Sequence, residues 1–61
     1  SLSLVEHEFS PKIWRGFVLT VLEGKTPKEA ALILNATVNA IYLGRARVLR
    51  RLREVLQDFL E

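Results

Sequence analysis

Thr26-Pro27-Lys28-Glu29-Ala30-Ala31-Leu32-Ile33-Leu34-Asn35-Ala36-Thr37-Val38 sets a helix start, a helix stop and a second helix start within thirteen residues. Thr26 and Glu29 have the spacing of a capping box: the threonine hydroxyl can accept from the Glu29 N–H, and the Glu29 carboxylate can reach back to the Thr26 N–H. Pro27 fits the first helical position, where its missing N–H leaves no acceptor unsatisfied. Ala30, Ile33 and Leu34 supply a narrow apolar face, which predicts a short helix over 27–34. Asn35 suits the left-handed residue that would end it, because asparagine tolerates that conformation better than most residues. Thr37 is then the next N-cap, two residues later.

Downstream of Thr37 nothing stops a helix, so one is expected from Val38 to the C-terminus. Stepping about 100° per residue from Ile41 puts Gly44, Val48, Leu49, Leu52, Val55, Leu56 and Phe59 on its side of the helix. Leu43, Ala46, Arg47, Arg50 and Arg53 fall on the other side. Some 24 residues at 1.5 Å each would reach about 36 Å, more than so small a chain can cover. The C-terminal part is therefore expected to project or to meet a partner. Gly44 costs about 1 kcal/mol relative to alanine in a helix, which suggests close approach of a neighbouring helix, or else of a DNA backbone.

Upstream, Ser10-Pro11 reads as N-cap and first helical residue, and Gly24 as the left-handed residue after the end. Between them Ile13, Trp14, Phe17, Val18, Val21 and Leu22 recur at helical spacing and form the expected buried stripe. Trp14 is expected to fill the junction with the long helix. Leu19 and Leu32 fall off the stripes and mark a candidate partner surface. Residues 1–9 are expected to be a weakly structured arm or a short helix.

The 61 residues are 49% hydrophobic, enough for one small packed domain and too apolar for disorder. There is no cysteine and one histidine, His7, so neither a disulfide framework nor a thiolate metal site is available. No cofactor or metal is expected. No nucleophile, base and acid share a rigid element, and Gly16, Gly24 and Gly44 are too scattered for a phosphate-cradling loop, so the chain is not expected to be an enzyme. The longest uncharged stretch, Ala30 to Gly44, is short and broken by Asn35, Thr37 and Asn39, so no membrane partner is expected.

Charge is concentrated rather than large. Residues 1–44 sum to zero, residues 45–53 carry five arginines and no acid, and residues 54–61 carry three acids, for a net charge of +2. A dense arginine segment is an electrostatic footprint for phosphate, because the guanidinium fork matches phosphate oxygens. Two helices joined by a three-residue turn, the second with an arginine-bearing outer face, have the layout of a helix-turn-helix. In that motif the second helix enters the major groove by its N-terminal part. The outward residues there are Val38, Asn39, Tyr42, Leu43, Ala46 and Arg47. The expected architecture is therefore all-α: a three- to four-helix bundle containing a helix-turn-helix, with a long C-terminal recognition helix, in one domain spanning 1–61.

Four stretches also carry a resemblance: Phe17-Val-Leu-Thr-Val-Leu-Glu-Gly24, Thr26-Pro-Lys-Glu-Ala-Ala31, Leu34-Asn-Ala-Thr-Val-Asn-Ala-Ile-Tyr42 and Arg45-Ala-Arg-Val-Leu-Arg-Arg-Leu-Arg-Glu54. Together they resemble region four of a sigma factor, with the nearest likeness to the extracytoplasmic-function group. The resemblance covers roughly residues 10–54 and departs at the turn glycine, here Asn35. It departs again at Tyr42, Leu43 and Gly44, where arginine or serine is common, and at Arg45, where a core leucine is usual. It implies a fragment of a bacterial, cytoplasmic transcription initiation factor that reads the upstream (minus-thirty-five) promoter element. It further implies docking on RNA polymerase core, and an anti-sigma protein as a candidate partner. The implied DNA-contacting positions are Thr37, Val38, Asn39, Tyr42, Leu43, Ala46 and Arg47; Arg50, on the same outer side, completes the candidate set. Thymine methyl contacts by Leu43 and Ala46 fit the less polar face.

Two other readings stay open from the residues alone. One is a helix-turn-helix output domain of another transcription regulator, resembling that of two-component response regulators. The other is a helical protein-interaction module without DNA binding, using Leu19, Leu32, Leu43 and the long helix.

Overall fold

Each of the three marked helix starts opens a helix in the computed structural model of the chain, which describes residues 5–60. Helix α1 spans Pro11–Phe17 and continues as a π-helical turn over Val18–Leu22. Helix α2 spans Pro27–Leu34 and helix α3 spans Val38–Leu60. The described residues contain no strand: they are all-helical, with these three helices and a helical stretch at Val5 and Glu6. The Ser-Leu-Ser-Leu alternation of residues 1–4 lies outside the described residues.

Local chemistry sets the boundaries. The Ser10 hydroxyl accepts from the Ile13 N–H at 3.2 Å, and the Thr37 hydroxyl accepts from the Ala40 N–H at 3.0 Å. Both arms of the Thr26–Glu29 box are formed, at 3.1 Å and 2.8 Å. Asn35 ends α2 at φ 54° and Gly24 follows α1 at φ 74°.

The backbone N–H of Thr26, and then its hydroxyl, hold the Glu29 carboxyl below its usual pKa. A carboxyl lowered on folding contributes stability above its unfolded pKa, and that contribution is lost as pH falls through the lowered folded value. Thr26→Ala should lower stability by about 0.5–2 kcal/mol. Thermal melts by circular dichroism should then shift down by roughly 4–8 °C per kcal/mol. An unchanged melting temperature would show that α2 does not depend on this cap.

Packing is organised by two reciprocal contacts between α1 and α3. A Cβ added to Gly16 would lie 3.3 Å from Ile41 Cδ1, and one added to Gly44 would lie 3.3 Å from Ile13 Cγ2. Each helix thus offers a glycine to an isoleucine of the other. Of the two readings of Gly44, close approach of a neighbouring helix is the one observed. Leu19, Ala30, Ala31 and Ile41 form the buried cluster, with Leu34 and Ala36 packed against it. Phe17 and Val48 are also buried.

The buried face of α1 differs from the expected stripe. Leu19 is 2% exposed, whereas Val21 and Leu22 are 42% and 63% exposed. The buried side of the helix runs through Ile13, Gly16, Phe17 and Thr20 rather than along the apolar stripe, and Leu19 covers its edge. In the π turn the Glu23 N–H reaches back five residues to the Val18 carbonyl at 3.0 Å. The Thr20 hydroxyl donates to the Gly16 carbonyl at 2.8 Å where the turn widens.

On α2 the buried face is Ala30 and Ala31 with half-buried Leu34, while Ile33 is 54% exposed. Ile33 points about 100° away from that face, and the two alanines let the helix seat closely. Trp14 is half-buried outside the main cluster. Its ring lies 5.2 Å from that of Phe17 and lines a groove with Glu6, His7, Phe9 and Pro11, rather than filling the junction with α3. Val5 and Glu6 are helical, and Val5 is buried.

Candidate nucleic-acid interface

The outward face of α3 follows from what the helix buries. Ile41, Gly44 and Val48 are its buried residues. At about 100° per residue, Asn39, Ala46 and Arg50 point directly away from them, Tyr42 and Leu43 flank that line, and Arg47 stands at its edge. Thr37, Val38, Asn39, Tyr42, Leu43, Ala46, Arg47 and Arg50 are all exposed; Thr37 lines the groove toward α1 and Val38 stands at the helix start, while the other six lie on the outward side of the first half of α3.

The five arginines are not equivalent. Arg51 Nε donates to the Glu8 carboxylate at 2.7 Å, and Arg51 Nη1 lies 4.0 Å from Glu54. The Glu8 bond and charge hold the Arg51 guanidinium still more firmly protonated. This pair fastens the N-terminal segment to α3 and removes Arg51 from the expected phosphate footprint. The Arg45 guanidinium sits 5.2 Å from the centre of the Tyr42 ring. This cation–π contact places the head of the Arg45 side chain. Arg47, Arg50 and Arg53 are exposed and form no ion pair among the described residues.

One cation was missed by sequence reasoning. Lys12 Nζ donates to the Asn35 carbonyl at 3.3 Å, across twenty-three positions of chain. It stands beside the start of α3, where the first-turn N–H groups of Val38 and Asn39 have no intrahelical acceptor. A groove of about 300 Å³ runs between Ser10, Lys12 and Ile13 on one side and Ala36, Thr37 and Ala40 on the other. Lysine near a helix start carries no pattern in one dimension; only the α1–α3 packing brings it here.

The described residues contain no cluster of three His, Cys, Asp or Glu that could hold a metal ion. No described helix is long and apolar enough to cross a membrane. Comparison with known protein families, with curated proteins and with solved structures finds no match to this chain.

Proposed function

We propose that the chain is a DNA-binding module in which α2, the three residues Asn35 to Thr37 and α3 act as a helix-turn-helix. The observation that carries this is the division of α3: its inner side is anchored on glycine–isoleucine contacts, while its first half presents every candidate residue to solvent. Arg50 would neutralise a phosphate along the groove wall, and Arg47 would reach a guanine edge. Asn39 and Tyr42 would meet polar base edges, and Leu43 and Ala46 the methyl groups of thymines. Lys12 and the first N–H groups of α3 would grip one further phosphate, the helix start supplying a partial positive charge.

In this reading the module works as region four of a sigma factor does. It tethers RNA polymerase core to double-stranded promoter DNA, in the bacterial cytoplasm, and it catalyses no reaction. The exposed Leu22, Leu32 and Ile33 lie outside the reading face and are the surface we assign to polymerase, or to an anti-sigma protein competing for it.

Fluorescence anisotropy on duplex DNA tests the reading. With Arg51 held by Glu8 and Arg53 nearly two turns beyond the inserted end, three cations remain at the DNA: Lys12, Arg47 and Arg50. Log affinity should then fall against log salt with a slope of about −2.7, from roughly −0.9 per contact. A flat response, or no binding at about 20 mM salt, would refute the proposal.

A further inference from the structure

The second half of α3 carries an apolar stripe that the described chain leaves open. Leu49, Leu52, Leu56 and Phe59 follow one another at alternating spacings of three and four, the pattern of a two-helix seam. Leu52 is half-buried, while Leu49 is 38%, Leu56 61% and Phe59 86% exposed, so the stripe is most open at its C-terminal end. The molecule measures 39 × 18 × 18 Å, its long dimension exceeding its width by the projecting end of this helix.

The same segment carries a step in charge. Residues 45–53 sum to +5 and residues 54–61 to −3. A helix with opposite charges on its two halves is complementary to itself only when reversed. We propose that this stripe is a self-association surface on which a second copy of the chain lays its own α3 antiparallel. Centring the pair near Glu54 sets Leu49 across from Phe59 and Leu52 across from Leu56. It also brings the basic half of each helix level with the acidic end of the other. A parallel pair would instead set five arginines beside five. The seam is short, about 15 Å at 1.5 Å per residue. It falls below the roughly 1,200 Å² of a stable interface, so the dimer is a weak one. The first half of α3 stays uncovered, and the dimer does not depend on whether that half reads DNA.

Sedimentation equilibrium of the whole chain, without nucleic acid, tests this over roughly 5–500 μM, the range where a short seam should be half-paired. The mass should climb from 7.0 kDa toward that of a dimer. The dissociation constant should rise about three- to tenfold between about 50 and about 500 mM NaCl, because opposite charges are being screened. Phe59→Ala and Leu56→Ala should each raise it about tenfold, as loss of a central apolar anchor does. Circular dichroism should not change, since both side chains are exposed. Asp58→Arg should weaken pairing, and Asp58→Asn should do so less. A monomer at the top of the range overturns the proposal. So does a dimer indifferent to Phe59→Ala, or one that tightens with salt.

Discussion

Leu19→Ala should lower the stability of the fold by about 2–5 kcal/mol, the range for emptying a buried leucine site. A domain of this size holds only about 3–5 kcal/mol in total, so the variant should be largely unfolded at 25 °C. Leu22→Ala, three residues on, should change stability by less than about 0.5 kcal/mol, as substitutions at exposed sites do. The contrast tests the observed buried face, since apolar periodicity alone would leave Leu19 off it and place Leu22 on it. Urea unfolding followed by circular dichroism measures both. Similar losses from the two variants would show that Leu19 is not the buried residue of the two in solution.

The second large effect is on recognition. Arg47→Ala should cost about 1–3 kcal/mol of DNA affinity and relax preference at one base position, if its guanidinium meets a guanine edge. Arg53→Ala removes the same charge from a position nearly two turns further along α3. A recognition helix enters the groove by its N-terminal part, so Arg53 should act through the screened field and cost only a few tenths of a kcal/mol. Binding to a small library of duplexes separates the two. Equal losses with unchanged sequence preference would mean that α3 is not inserted by its first half. Neither arginine is paired within the described chain, so neither substitution should disturb folding.

The helix boundaries were readable because they rest on contacts three or four residues apart. Ser10, Thr26, Asn35 and Thr37 act on their own neighbours, and no distant residue can change what those spacings mean. The outward face of α3 was readable for a related reason: a regular helix of 23 residues keeps its phase, so its polar side follows from its apolar one. The α1 face was not. Its centre holds Gly16 and Thr20, neither of which counts as apolar, so the buried side does not coincide with the apolar stripe. Ile33 misled for a similar reason, since α2 seats on two alanines whose small size matters more than their hydropathy. The Glu8–Arg51 pair and the position of Lys12 arise from tertiary placement over long sequence separations, which no local spacing encodes.

The reciprocal Gly16–Ile41 and Gly44–Ile13 contacts act as a key in a keyway, fixing the rotation of α3 about its own axis. A Cβ added at either glycine would meet its isoleucine at 3.3 Å, a crowding of a few tenths of an ångström that the isoleucine or a turn of α3 must relieve. A twist of roughly 20° carries a side-chain tip, at about 6 Å from the helix axis, through about 2 Å. That exceeds the few tenths of an ångström within which a hydrogen bond keeps its strength. The aim of every outward residue on α3 is thus set by two positions that no outside molecule touches.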